Sequence, residues 1–426
     1  MKILSSRDPA VDSILFKTIA NVKEIEARVR EIVQAVRQRG DEAVFEYTEK
    51  FDRARIGLDN FRVSRTEIEN AYAAVDVEFR QALAAAISNI RDFHQKQKQH
   101  SWMEPDALGN ILGQISRPLR RVGIYVPGGT AAYPSSVLMN ALPAQVAGVE
   151  EIAMVTPPAA DGSMNPYTLV AADACGVSEI YKVGGAQAIA ALGYGTPSLP
   201  KVDKITGPGN IYVTIAKKLV YGEVDIDMLA GPSEVLVIAD ASANPRYVAA
   251  DLLSQAEHDL MASALLVTPS RDLAQAVLAE VEKQLANLSR RAIMEKALAD
   301  YGAIILTENL EEAMTIANRF APEHLELMVE NPFAWLGKVR NAGAVFVGGF
   351  SPEPIGDYYA GPNHILPTGG TARFYSPVTV DTFVKKTSVI AYSEAGFQSA
   401  APKVIKLATV EGLDAHANSV KVRLEP

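Results

Sequence analysis

The 426-residue chain is 48% hydrophobic and 21% charged, too apolar for a disordered polymer and long enough for two or more packed domains. Its net charge of -9 argues against a general nucleic-acid-binding role, because phosphate backbones are held by clustered Lys and Arg, and the short run Arg117-Pro118-Leu119-Arg120-Arg121 does not outweigh that balance. No apolar run approaches the roughly 20 residues of a membrane span, the first residues lack a secretory apolar core, and a lone Cys175 excludes an internal disulfide, so small-molecule chemistry in the cytoplasm is expected.

From the N-terminus, Val22, Ile25, Val29, Ile32 and Val36 recur at three- and four-residue spacing and predict a helix that stops at Gly40. Ser64 and Glu67 form a capping-box pattern, and the alanine-rich run through Phe79, Leu83 and Ile87 predicts one long helix behind it. His94 and His100, near its polar end, lack a metal-ligand spacing with any acidic partner. Gly109-Asn110 marks a turn, after which strands and helices alternate. Strands are predicted at 122–126, 152–156, 179–182 and 203–206, with helices beginning near Ser135, Tyr167, Ala186 and Asn210. A second βα series covers 234–240, 265–268, 303–307 and 344–347. From Tyr375 the alternation weakens into a smaller helical segment ending at Gly412-Leu413-Asp414-Ala415-His416, and no fixed-period repeat is present.

The predicted fold class is therefore α/β: two Rossmann-like domains with parallel sheets, plus small helical N-terminal and C-terminal segments. The expected division is an arm at 1–22, a first α/β domain from 23–122 and 234–374 that carries the catalytic and metal residues, an inserted α/β domain at 123–233, and a C-terminal helical segment at 375–426.

Three glycine turns follow strands of the inserted domain: Pro127-Gly128-Gly129, Gly184-Gly185-Ala186-Gln187 and Gly207-Pro208-Gly209-Asn210. Each alone reads as a tight βα turn, and none is a GxGxxG fingerprint. Together, at one end of one sheet, they suit a nucleotide, whose phosphates approach small residues and helix starts; Tyr125, Gln187 and Asn210 are the candidate contacts.

Two further clusters carry chemistry. Glu323 and His324 stand adjacent in Ala321-Pro322-Glu323-His324-Leu325-Glu326, an acid and a potential base able to share protons near neutral pH. The plain alternative is a turn-capping Glu beside a core His, since neighbours on a regular strand face opposite ways unless the backbone turns, as Pro322 permits. Gln255 and His258, at i and i+3 on the end of a helix, can converge on one ion or can simply be a polar helix end. With Asp357, in a loop broken by glycine and proline, and with His416, they form a mixed nitrogen and oxygen set suited to zinc, with manganese a possible substitute.

With these motifs the chain resembles the histidinol dehydrogenase family from about Arg121 to His416, through Gly123-Ile124-Tyr125-Val126-Pro127-Gly128-Gly129, Ala230-Gly231-Pro232-Ser233-Glu234, Ser254-Gln255-Ala256-Glu257-His258-Asp259 and Gly361-Pro362-Asn363-His364 among others. The resemblance implies a four-electron oxidation of L-histidinol to L-histidine through L-histidinaldehyde with two NAD. It implies one Zn2+ per subunit on Gln255, His258, Asp357 and His416; catalysis by Glu323 and His324; NAD contacts at Tyr125, Gln187 and Asn210; and substrate contacts at Ser233, His364 and Glu411 as well as Gln255, His258, His324, Asp357 and His416. It also implies a homodimer whose C-terminal residues complete the neighbouring site. Leu260-Met261-Ala262-Ser263 departs from the family pattern, which commonly has a proline and a glutamine there. Rival readings are a related NAD-dependent dehydrogenase for another small alcohol, such as a sulfonated diol, a zinc hydrolase with Glu323 as base, and a non-catalytic scaffold.

Overall fold

A computed structural model describes residues 1–16, 22–128 and 132–425. They form two compact units, Met1–Gln97 with Leu119–Phe383 and Lys98–Pro118 with Val384–Pro426. The larger unit opens with a strand, β1 (Lys2–Ser5), and a short helix, α1 (Ala10–Leu15). Helix α2 (Val22–Arg39) buries Val29, Ile32, Val33 and Val36 along one face, as the spacing predicts, and Gly40, at a φ of 57°, turns the chain directly into α3 (Asp41–Asp52). The capping box at Ser64 and Glu67 is formed, but the helix behind it, α4 (Arg65–Ala74), ends at an extended Val75. Asp76 then accepts the Phe79 N–H and starts α5 (Val77–Gln95), so the single long helix expected here is two.

After β2 (Trp102–Pro105) and β3 (Ile111–Pro118), a parallel sheet is built from β4 (Arg121–Tyr125), β5 (Glu151–Thr156), β6 (Glu179–Lys182), β7 (Lys204–Thr206) and β8 (Asp225–Ile226), in the order β6-β5-β4-β7-β8. Its crossovers are α6 (Pro134–Ala147), α7 (Pro166–Ala174), α8 (Gly185–Tyr194) and α9 (Ile211–Val220). The interior strands β4 and β5 lie between helical layers and are buried almost throughout, which is why they read as largely apolar runs. Helix α2 packs on α8 and α9, and one core joins Val29, Ile32 and Val36 to Ala188, Leu192 and Val213.

The second parallel sheet follows: β9 (Glu234–Ala239), α10 (Pro245–Ala256), β10 (Ser263–Thr268), α11 (Arg271–Leu285), α12 (Arg291–Tyr301), β11 (Gly302–Leu306), α13 (Leu310–Phe320), β12 (His324–Met328), β13 (Ala344–Val347) and α14 (Glu353–Tyr358). Its order is β1-β11-β10-β9-β12-β13. Two elements differ from expectation. Residues 324–328 form a central strand, and Asp357 lies on the short helix α14 rather than in a loop, because Pro352 and Glu353 begin a helical turn.

In the smaller unit, β14 (Val384–Ala391) pairs antiparallel with β3, and β3 with β2. Only helix was expected after Tyr375; alternation in β14 is masked because nearly all its residues are exposed. Helices α15 (Glu394–Val410) and α16 (Asp414–Lys421) pack on one another. The Gly109-Asn110 turn is present, with Gly109 at a φ of 80° and Asp106 accepting the N–H groups of Leu108 and Asn110. No helix among the described residues is long and apolar enough to cross a membrane.

Each parallel sheet reverses its winding once, between β4 and β7 in the first and between β9 and β12 in the second. Crossovers on either side of such a reversal run to opposite faces and leave a crevice at the carboxyl ends of the strands.

Candidate functional site

The two chemical centres flank these reversals at opposite strand ends. Glu234 and His324 are the first residues of β9 and β12, so the proton-handling pair sits at the amino ends of the second sheet. Tyr125 ends β4, Gly207 follows β7 and Gly184 follows β6, so the glycine turns lie at the carboxyl ends of the first. The chain runs from β8 into β9 through residues 227–233. Thr214 Oγ1 donates to the Ala230 carbonyl at 2.9 Å, and the Gly231 N–H donates to Thr368 Oγ1.

The backbone does turn at the Glu323-His324 pair. Ala321, the C-cap of α13, adopts a left-handed φ of 54°, uncommon for a residue with a side chain, and Pro322 prevents the helix from continuing. The side chains of Glu323 and His324 then meet the same residue of β9. Glu323 Oε2 accepts the Glu234 N–H at 2.9 Å, and His324 Nδ1 donates to the Glu234 carbonyl at 2.9 Å. That bond assigns the proton to Nδ1 and leaves Nε2 with its lone pair. Nε2 is buried without a hydrogen-bond partner among the described residues, 3.9 Å from Asp357 Oδ1, and Nδ1 stands 3.7 Å from Glu323 Oε2. Burial lowers the pKa of His324, so the ring is neutral near pH 7 and able to accept a proton. Burial also raises Glu323 well above the usual carboxyl range, and neighbouring carboxylates add to the effect against the opposing Glu234 N–H.

Behind this pair lies a chain of buried acids, of which sequence reasoning named only Asp357 as a site residue. Glu326, two residues along β12, hydrogen-bonds Asp251, and its Oε1 accepts the Glu353 N–H at 3.3 Å. Glu353 Oε2 accepts from Ser254 Oγ at 3.2 Å, and the Glu353 and Asp357 carboxyls share a hydrogen bond. Burial pushes Glu326 and Asp357 well up and Asp251 to about 6. The available signal was spacing: Glu353 and Asp357 on α14, and Asp251 and Gln255 on α10, stand at i and i+4, hence on common faces.

A ring nitrogen of His324 and carboxyl oxygens of Glu353 and Asp357 lie within 4.8 Å of one another. Gln255 is buried at the end of α10, and its Oε1 lacks a hydrogen-bond partner among the described residues. His258 occupies the exposed turn just beyond α10, its N–H donating to the Gln255 carbonyl at 3.2 Å. The Asp357 carboxyl, the Gln255 amide oxygen and the His258 ring fit a divalent cation, which supplies the positive charge that buried carboxyls lack and a partner for the orphaned amide oxygen. The departing segment after Asp259 is held locally, since Asp259 Oδ1 accepts the Met261 N–H at 2.8 Å. Ser233 is half-buried just before β9, its carbonyl accepting the Ser263 N–H at 3.0 Å. Glu411 and His416 belong to the smaller unit, where both are exposed.

His364 Nδ1 donates to the Asp357 carbonyl at 3.2 Å, and burial pushes its pKa from 6.5 to about 4. The unfolded chain therefore binds more protons at this residue between those two values. Its contribution to stability is complete above pH 6.5 and is lost as pH falls towards 4, up to about 3 kcal/mol at ~1.4 kcal/mol per pH unit. With divalent cations removed, His364→Gln should narrow the gap in unfolding free energy between about pH 7 and about pH 4.5, read by urea denaturation. An identical gap in both proteins would refute this role for His364.

At the glycine turns, the Gly185 N–H donates to the Tyr125 hydroxyl at 3.1 Å, and burial raises that phenol to about 12. Gln187, in the first turn of α8, is buried with neither end of its amide hydrogen-bonded among the described residues. Asn210 Oδ1 caps α9 by accepting the Tyr212 and Val213 N–H groups, so only its Nδ2 side can face outward. Gly129 of the first turn lies outside the described residues. An orphaned amide beside small residues and helix starts fits a nucleotide.

Two parallel sheets with a base and an acid beside one reversal and ligand-ready turns beside the other make this an α/β oxidoreductase. An acetylating aldehyde dehydrogenase from Geobacillus thermoglucosidasius shares the fold, with a TM-score of 0.50 at 16% identity over 90% of this chain and 94% of that one. The chain belongs to the histidinol dehydrogenase family, whose model matches residues 16–424. It is 62% identical to a histidinol dehydrogenase of Heliobacterium mobile over 97% of each chain. It is 58% identical to one of Carboxydothermus hydrogenoformans over 100% of this chain and 99% of that one. A crystal structure of histidinol dehydrogenase from Elizabethkingia anophelis superposes with a TM-score of 0.95 at 41% identity, covering 100% of this chain and 98% of that one.

Proposed function

We propose that this chain oxidises L-histidinol to L-histidine through L-histidinaldehyde, the last steps of histidine biosynthesis, as a zinc-dependent cytoplasmic enzyme using two NAD. The observation that carries the reading is His324, neutral, held through Nδ1 by the Glu234 carbonyl, with Nε2 unpartnered. In the first oxidation His324 Nε2 takes the hydroxyl proton of the alcohol. In the second, Glu323 takes a proton from the water that adds to the aldehyde, and His324 takes the hydroxyl proton of the hydrate. Tyr125, Gln187 and Asn210 of the 123–233 segment would hold NAD, which would supply the hydride acceptor for each oxidation. Zn2+, when bound by Gln255, His258, Asp357 and His416, would hold the imidazole and amine of the substrate. Ser233, His364 and Glu411 complete the substrate contacts, and we assign Glu411 and His416 to the neighbouring site of a homodimer. No covalent nucleophile is required, and Cys175 is buried with its thiol pushed up to about 12.

Histidinol is favoured over another small alcohol by the family membership and by the high identity to curated histidinol dehydrogenases. The test is NADH formed per L-histidinol by the purified protein, with and without a chelator. About two, abolished by chelation and restored by zinc, is expected because each oxidation transfers one hydride. NADH from a sulfonated diol and none from histidinol would overturn the reading.

A further inference from the structure

Gly207 opens the turn after β7, at the reversal of the first sheet. Its φ is +116°, and a Cβ there would stand 2.1 Å from the Tyr125 carbonyl oxygen, so the backbone of this turn lies directly against the end of β4. Both polar groups of Gly207 are held by charged side chains. Its N–H donates to Asp227 Oδ2 at 2.8 Å, and its carbonyl accepts from Lys217 Nζ at 2.7 Å. Lys217 Nζ also donates to Asp227 Oδ1 at 2.5 Å, and that oxygen accepts the Met228 N–H at 2.6 Å. The two side chains are 4% and 1% exposed. Lys217 comes from the last turn of α9, and Asp227 from just past the edge strand β8, so three elements converge on one glycine.

A buried ion pair is poor evidence for stability, because desolvating two charges costs several kcal/mol and apolar replacements of similar volume are often neutral or better. What an apolar pair cannot supply is a donor and an acceptor for the two consecutive peptide groups around Gly207. Those peptides set the direction of Pro208, Gly209 and Asn210 and the start of α9. The same turn abuts the Tyr125 carbonyl, and the Tyr125 hydroxyl in turn accepts the Gly185 N–H, beside the orphaned amide of Gln187.

We infer that Lys217 and Asp227 are positioning residues of the nucleotide site, clamping the Gly207 peptides so that the 207–210 turn and the start of α9 are already set when NAD arrives. The pair touches neither cofactor nor substrate and acts through Gly207. The inference rests on the proposed use of NAD, and the experiment separates the two.

The informative variant is the double replacement Lys217→Met with Asp227→Leu, which removes the clamp without leaving an unpaired buried charge. Its KM for NAD should rise about tenfold, while KM for histidinol and kcat at saturating NAD stay within about twofold; the thermal midpoint falls, because the Gly207 and Met228 peptide groups lose their partners. Asp227→Asn, nearly isosteric, keeps an acceptor for the Gly207 N–H and weakens the grip of Lys217; it should raise KM for NAD about threefold, and it serves if the double variant does not fold. An unchanged KM for NAD in whichever variant folds, or an equal rise in KM for histidinol, overturns the inference. Absence of NADH formation by the unaltered protein overturns the NAD reading instead, before any variant is made.

Discussion

Replacing His324 with asparagine should lower kcat for both oxidations by about a thousandfold, within the range of a positioned general base. Asparagine can still donate to the Glu234 carbonyl, the bond that now orients the ring at 2.9 Å, so the amino end of β12 keeps its anchor. What disappears is Nε2, the buried nitrogen that has no hydrogen-bond partner among the described residues. Because burial keeps the ring neutral near pH 7, no cost of deprotonating it is recovered, and the whole proton-accepting function is lost. The check is single-turnover NADH formation from histidinol and, separately, from histidinaldehyde, with KM for NAD as the control. Loss in only one oxidation, or a fall of less than about tenfold, would remove His324 from its shared role.

The same geometry explains how much was legible in the chain. Strands expected at 122–126 and 152–156 appear at Arg121–Tyr125 and Glu151–Thr156, because parallel strands covered on both faces must be apolar along most of their length; the edge strand expected at 179–182 appears at Glu179–Lys182. The capping box of Ser64 and Glu67 was legible because its donors and acceptors are local. Long-range pairings were not. β1 is four residues long and gains its place only by pairing with β11, about 300 residues later, while β14 is an exposed strand recruited by β3. Alternation did not say which sheet the N-terminal helices cover; contacts between α2, α8 and α9 decide that.

At the site, the adjacent acid and base were legible as residue types, and their convergence on Glu234 was not. It depends on a left-handed alanine, which no propensity rule anticipates, and on the parallel register that sets His324 opposite Val235. Glu326, Glu353 and Asp251 escaped notice for a different reason. Each reads as an ordinary carboxylate in sequence; all three are buried, and burial turns Glu326 and Asp251 into groups that hold protons. A cation among these donors would reverse that tendency, which ties the protonation of the acids to occupancy of the metal site.

Glu323→Gln should divide the two oxidations. The Gln amide oxygen can still accept the Glu234 N–H, now 2.9 Å from Glu323 Oε2, so the turn after Pro322 and the orientation of His324 are preserved. The first oxidation needs only a base for the alcohol proton and should stay within about threefold of the parent rate. The second needs a proton removed from water before a hydrate can form, and it should fall by about a hundredfold or more. NADH per histidinol then drops from about two towards one, and histidinaldehyde becomes trappable by a carbonyl reagent. The raised pKa of Glu323 adds a pH signature: the parent enzyme's aldehyde oxidation falls as pH drops through that pKa, and the variant's residual rate lacks this limb. Equal loss of both oxidations would make Glu323 a structural partner of Glu234, and retention of both would assign water activation to another of the buried acids.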